Sequence, residues 1–304
     1  MATFGLAFIR FLFGTIEHFA PSIAGRAAFA LFCRTPNPAK PSPREKAVID
    51  AAGPFMAEAR RHYLASHQGQ TVVAHEFSPA ADNQHKRMAM VIHGWRSRTE
   101  HMRGVIAALR DCGFTVVAVD LPGHGQSPGR RLHMGDAVAA IHAVEQRFGP
   151  FEIIAGHSFG GAVAVNAVYG SIAGIAPVGA DRLVLISAPN SLPAIFRQFG
   201  DTIGLGPKSF EALSDHIGRI AGRPLDQFVG ARQLCETDIP ALIIHAPDDK
   251  EVPVREARAY AACAPNARLF LADGLGHRRI LADREVRARI ASFAPGERRL
   301  ALVG

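Results

Sequence analysis

The stretch Ile153-Ile154-Ala155-Gly156-His157-Ser158-Phe159-Gly160-Gly161-Ala162-Val163 sets one serine between glycines placed two residues before and two residues after it. That spacing suits a sharp turn from a strand into a helix. The central residue of such a turn is held in an unfavourable backbone conformation, and its neighbours must be small because the two backbones nearly touch. A hydroxyl on such an elbow can attack a carbonyl carbon, provided that a base takes its proton and an acid orients the base. Ser158 is therefore the candidate nucleophile.

An acid and a base are expected further along the chain. In Leu242-Ile243-Ile244-His245-Ala246-Pro247-Asp248-Asp249-Lys250-Glu251-Val252-Pro253 an apolar run ends in a turn carrying two adjacent carboxylates. Asp249 opens a D-x-x-V-P pattern and is the candidate acid, with Asp248 read as a turn or cap residue. The candidate base, His277, lies 28 residues after Asp249, in a glycine-bearing loop that again follows an apolar run, Leu269-Phe270-Leu271. The order Ser, Asp, His is that of a nucleophile-elbow hydrolase. Attack on a carbonyl also needs donors for the oxyanion that develops. Gly94 in Ile92-His93-Gly94-Trp95 lets the chain fold back toward the nucleophile, which makes the main-chain N–H groups of Trp95 and Phe159 the candidate donors.

The elements that must position these groups are legible from the apolar patterning. Strand-like runs at residues 71–77, 88–93, 115–120, 152–156, 182–187, 241–245 and 268–271 alternate with helix-like segments such as 102–112 and 135–148. Such alternation predicts an α/β chain with a mostly parallel sheet covered on both faces, and catalytic loops gathered at one sheet edge. About fifty residues separate the runs ending near 187 and starting at 241, whereas a crossover needs only about a dozen. Helices expected near 192–203, 209–221 and 225–229 would form a cap, at about 190–237, that shapes a pocket with Phe196, Phe199, Phe210 and Phe228.

Taken together, His93-Gly94, Asp120-Leu121-Pro122-Gly123-His124-Gly125-Gln126-Ser127, the Ser158 elbow, Asp249-x-x-Val252-Pro253 and Gly276-His277 resemble, in order, the motifs of the α/β-hydrolase superfamily. The resemblance spans roughly residues 70 to 295 and is closest to a bacterial branch that is lysophospholipase-like and serine-aminopeptidase-like. It implies the α/β-hydrolase fold, with an eight-stranded sheet and a helical cap insertion. It also implies that Asp120, His124 and Ser127 hold loops together, and that Ser158, His277 and Asp249 act as a triad through an acyl-enzyme. A carboxylic ester is the expected substrate, and the apolar N-terminus and phenylalanine-rich cap favour a lipid-like one. Acyl transfer or thioester cleavage by the same triad, a proline-type peptidase, and a non-catalytic binding protein on the same scaffold stand as alternatives.

Composition bounds the rest. At 304 residues and 48% apolar, the chain can bury one large core. The 34 Lys and Arg against 27 Asp and Glu give a net charge of +7. These basic residues are scattered, with pairs at Arg60-Arg61, Arg130-Arg131, Arg278-Arg279 and Arg298-Arg299, and form no nucleic-acid module, so no nucleic-acid partner is expected. There is no phosphate loop or dinucleotide fingerprint, and the spacing of Cys33, Cys112, Cys235 and Cys263 suits neither a metal site nor a disulfide framework. Neither cofactor nor metal is expected, and reduced thiols point to the cytoplasm, at or away from the inner membrane surface.

The N-terminus departs from a minimal core. Phe4, Leu6, Phe8, Ile9, Phe11, Leu12, Phe13, Ile16 and Phe19 crowd into sixteen positions, and a second apolar run follows at 27–33. Arg10, Glu17, His18 and Arg26 interrupt both runs, which makes a spanning helix an unsuitable reading. Three readings of residues 1–33 stay open: an interfacial helix on a bilayer, a helix pair packed on the hydrolase body, or a homodimer contact. Prolines 36, 38, 41 and 43 form a stiff linker, placing a boundary near residue 40 between this segment and a hydrolase domain at 41–304, which opens with a helix expected at 44–67.

Overall fold

The computed structural model describes residues 2–66, 69–80 and 87–294, with side chains from residue 5 on. The Arg298-Arg299 pair, His67 and the Phe4 side chain fall outside them. In chain order the elements are α1 (Ala2–Phe19), α2 (Pro21–Phe32), α3 (Pro43–Ala57), β1 (Arg60–Ala65), β2 (Thr71–Phe77), β3 (Arg87–Ile92), α4 (Arg103–Asp111), β4 (Phe114–Asp120), α5 (Met134–Phe148), β5 (Phe151–His157), α6 (Phe159–Tyr169) and β6 (Ala180–Ile186). They continue with α7 (Leu192–Ile203), α8 (Pro207–Ala221), α9 (Gly230–Cys235), β7 (Ala241–His245), α10 (Arg255–Cys263), β8 (Ala267–Leu271), α11 (Gly276–Arg279) and α12 (Arg284–Phe293).

The eight strands form one sheet in the order β1-β2-β4-β3-β5-β6-β7-β8. β2 runs antiparallel to both its neighbours, and all other pairings are parallel. This is the mostly parallel, α/β-hydrolase arrangement expected from the sequence. Its inner strands are apolar without alternation because both faces are covered. Side chains such as Met90, Val117, Ile154 and Ile243 pack with α5, α6, α9 and α10 on one face, while Val91, Val116, Ile153 and Ile244 pack with α4 and α12 on the other.

The helix expected over residues 44–67 is corrected. Ser42 caps α3, accepting from Glu45 N while the Glu45 carboxylate accepts from Ser42 N at 2.9 Å. The helix stops at Ala57, and Arg60–Ala65 becomes the eighth strand, paired with β2 from Arg60 opposite Glu76 to Ala65 opposite Thr71. An edge strand buries only part of one face; here Tyr63 is exposed and His62 partly buried, its Nε2 sitting 2.7 Å from Glu76. With so little apolar alternation, only pairing with β2 separates it from a continued helix.

The cap between β6 and β7 consists of α7, α8, a short 3₁₀ turn at Leu225–Gln227 and α9. The N-terminal helices dock on it. Gly25 of α2 crosses α8 so closely that a β-carbon there would lie 2.6 Å from Leu213 N, and Ala24 and Ala28 are fully buried beside it. Glu17, near the end of α1, accepts from Lys208 N and Ser209 N, both at 2.9 Å, and so caps the start of α8. Burial raises the Glu17 pKa, yet the hydrogen bonds from Ser209 and Lys208 prevail and hold it below its ordinary value. Among the described residues no helix is long and apolar enough to cross a membrane.

Candidate active site

Ser158 adopts φ +53° and ψ −124° between β5 and α6, a conformation that side-chain-bearing residues rarely hold without surrounding constraint. Its amide donates to Ile186 O at 2.8 Å, tying the turn to β6. The flanking glycines are sterically required. A β-carbon on Gly156 would strike the backbone of Gly160 and Gly161, and one on Gly160 would strike the carbonyls of Ile92 and His93.

Asp249 follows β7. Its Oδ1 accepts from Glu251 N at 2.8 Å and Val252 N at 2.9 Å, and its Oδ2 lies 2.7 Å from His277 Nδ1. Burial would raise the pKa of this carboxyl, but the hydrogen bonds from His277, Val252 and Glu251 outweigh that and hold it down to about 2. The ionised carboxylate can only accept, so Nδ1 of His277 donates, and in the neutral ring the lone pair then sits on Nε2. Asp248, by contrast, accepts from Gly276 N at 3.1 Å on the exposed side of the turn.

His277 sits in the one-turn helix α11 after β8, reached through Gly274 and Gly276, both at positive φ. Arg279 donates to Gly274 O at 2.7 Å and Arg278 to Glu251 at 3.1 Å, so both arginines brace this loop. The imidazole of His157 adds a further support. Burial, helped by His277, drives its pKa down to about 3, and as a neutral ring it donates from Nε2 to the main-chain oxygen of His277 at 2.8 Å. The two rings lie 4.7 Å apart between centroids. Sequence reasoning missed His157, although its place between Gly156 and Ser158 was the available clue.

Gly94 comes close enough to the elbow that a β-carbon on it would stand 2.9 Å from Ser158 Cβ. Among the described residues neither Trp95 N nor Phe159 N donates to a protein acceptor. The Phe159 amide is one of the N–H groups that every helix start leaves open. His93 holds this loop: buried, with its pKa lowered to about 3, it donates from Nδ1 to Gly94 O at 2.8 Å and accepts from Leu121 N at 3.1 Å. The Asp120 carboxylate accepts from Thr99 N and Oγ1, Gln126 N and His75 Nε2, and Ser127 Oγ donates to Asp120 O. His124 accepts from Arg96 N at 3.0 Å. These three side chains bind loop to loop.

Ser158, His277, Trp95 and Phe159 all line one cavity of about 720 Å³. Ser158 and His277 share that cavity, and among the described residues no hydrogen bond joins their side chains. Phe196 and Phe228 contribute to the apolar wall. Phe199 and Phe210 do not, which corrects the expectation for both. Phe199 faces the N-terminal helices, packing edge-on against Phe32 at 5.1 Å and beside the cluster of Phe13, Ala24, Ala28 and Ile203. Phe210 lies under the Arg197 guanidinium, 4.4 Å away, along a separate groove of the cap. Their places on the wall are taken by Phe29 and Phe32 of α2. Phe32 packs on Phe196 at 4.4 Å and on Trp95 at 6.1 Å. Among the described residues no group of three His, Cys, Asp or Glu could hold a metal ion.

A profile described as the alpha/beta hydrolase family matches residues 89–290. An uncharacterized protein of Mycobacterium tuberculosis is 30% identical over 237 residues, covering 62% of this chain and 69% of its own. Among solved structures, Est1E from Butyrivibrio proteoclasticus superposes with a TM-score of 0.59 at 19% identity, covering 77% of this chain and 96% of Est1E. Carboxylesterase CesB from Bacillus subtilis does so with 0.58 at 18% identity, covering 82% of this chain and 96% of CesB.

Proposed function

The chain belongs to the alpha/beta hydrolase family, and on that premise we propose that it is a serine hydrolase that cleaves carboxylic esters with an apolar acyl part. The observation that carries the reading is the 2.7 Å contact between the Asp249 carboxylate and His277 Nδ1, beside a cavity into which the strained Ser158 elbow opens. Ser158 Oγ attacks the ester carbonyl as His277 Nε2 takes its proton. The tetrahedral oxyanion is bound by the Trp95 and Phe159 amides. Collapse expels the alcohol, which receives the proton from His277, and leaves the acyl group on Ser158. Water, deprotonated in turn by His277, then releases the acid. Asp249 stays ionised throughout and holds the imidazole in the tautomer that this cycle needs.

The apolar wall of Phe29, Phe32, Leu192, Ile195, Phe196 and Phe228 supports an aliphatic or aromatic acyl arm, since burying each methylene contributes about 0.8 kcal/mol. Kinetics with p-nitrophenyl esters test the proposal. Ser158→Ala removes one oxygen and is expected to lower kcat by about 10⁶-fold, to the level left by oxyanion binding alone, and to abolish labelling by a fluorophosphonate. Ester turnover by the purified variant within tenfold of the native rate would rule the mechanism out.

A further inference from the structure

α1 carries two apolar faces, and folding uses one of them. Ile9, Phe13, Ile16 and Glu17 turn inward, where Phe13 joins Ala24, Ala28 and Ile203 and Glu17 caps α8. The other face, with Phe8, Phe11, Leu12 and Phe19 at helical spacing, stands in solvent. Phe8 is 59%, Phe11 72% and Phe19 85% exposed. Ile23, 56% exposed, continues the apolar surface onto the start of α2. Isolated exposed apolar residues are ordinary, but a stripe of three phenylalanines on one helix is an interaction surface.

Charge identifies what covers it. Glu17 is the one acidic residue in the first 34 positions, and it is buried against α8. The remaining charged side chains of the segment, Arg10, Arg26 and Arg34, are basic and exposed. A helical hairpin with an aromatic stripe and basic exposed charges, neither helix of which is long and apolar enough to cross a membrane, suits the interface of an anionic bilayer. Its inner side is also the wall of the cavity, through Phe29 and Phe32. We propose that the hairpin Ala2–Phe32 docks on an anionic lipid surface, setting the acyl cavity against the membrane.

Co-sedimentation of the full chain with phosphatidylcholine vesicles, with and without about a third phosphatidylglycerol, tests this. Native protein is expected to pellet with the anionic vesicles and to be released as salt is raised. The triple change Phe8→Ser, Phe11→Ser and Phe19→Ser touches neither cavity nor core, and is expected to weaken pelleting at least about tenfold while hydrolysis of a soluble short-chain ester is unchanged. Arg26→Glu is expected to weaken it about fivefold or more, anionic vesicles only. Binding is read without turnover, so Ser158→Ala should pellet like the native chain, and failure of the hydrolase reading leaves this result standing. Native protein that stays in the supernatant, that binds both vesicle types equally, or whose binding ignores the triple change overturns the proposal. So does a native dimer that fails to pellet and that the triple change converts to monomer, because the face would then belong to a second copy of this chain.

Discussion

Replacing Asp249 by Asn separates the two adjacent carboxylates of the β7 turn by chemistry. Asp249 Oδ1 is occupied by the amides of Glu251 and Val252, at 2.8 and 2.9 Å. An Asn side chain keeps those bonds only by leaving its oxygen there, which turns its NH₂ toward His277 Nδ1, 2.7 Å away in the native protein. Nδ1 must then accept, the single ring proton moves to Nε2, and Nε2 no longer has a lone pair for the Ser158 proton. A forced wrong tautomer costs about 10⁴-fold in kcat, which at about 1.36 kcal/mol per decade is roughly 5.5 kcal/mol of barrier. Geometry is otherwise kept, so the variant should stay folded at neutral pH, with a Tm lowered only by the loss of the carboxylate's charge. Asp248→Asn is the matched control. Asp248 accepts one exposed bond, from Gly276 N at 3.1 Å, which an Asn oxygen can keep and which is worth only about 1 kcal/mol, so this change should cost less than about tenfold. The assay is kcat for a p-nitrophenyl ester alongside the rate of fluorophosphonate labelling, both on protein of verified Tm. The reasoning fails if Asp248→Asn costs more decades than Asp249→Asn, or if Asp249→Asn stays within tenfold of the native rate.

The same carboxylate predicts an acid limb of stability. Its pKa is depressed from 3.8 to about 2, so its stabilising contribution is complete above about pH 4 and is lost as pH falls toward 2. In urea titrations the stability gap between native protein and Asp249→Asn should therefore shrink across that window; a gap that widens there contradicts the bonding described. Phe32→Ala opens the cavity wall between Phe196 and Trp95, and is expected to shift selectivity toward longer acyl chains, by up to about fourfold for each extra methylene that finds room. A chain-length profile that keeps its native optimum would show that α2 does not bound the acyl site.

The parts of this molecule that the sequence makes legible are those in which local chemistry leaves no alternative. A strand buried on both faces must be apolar, so β7 falls at the residues expected and β3 to β6 lie within two residues of expectation at either end, while the short apolar runs of the less buried β2 and β8 place them as closely. Gly156 and Gly160 admit no side chain, which makes the elbow readable before any fold is known. Between Asp248 and Asp249 the D-x-x-V-P pattern favours the carboxylate that the structure brings to His277, because the same turn directs the Glu251 and Val252 amides at its Oδ1. β1 escapes for the opposite reason: its exposed arginines and half-buried His62 carry no period strong enough to compete with the helix before it.

The cavity wall shows a deeper limit. Phe196, Phe199, Phe210 and Phe228 are equivalent in composition, and periodicity assigns each a helix face without saying what that face meets. Phe199 turns to α1 and Phe210 lies under Arg197, while Phe29 and Phe32, some 160 residues earlier in the chain, take the places beside Phe196. An apolar stripe on α2 reads the same whether it meets a cap, a lipid or a second copy. What decides is Gly25, whose missing side chain lets α2 press onto α8, and Glu17, which pins the end of α1 to the start of α8. Once these two contacts fix the inner side of the hairpin, the stripe of Phe8, Phe11 and Phe19 is left exposed among the described residues, and that outward face is what the vesicle experiment probes.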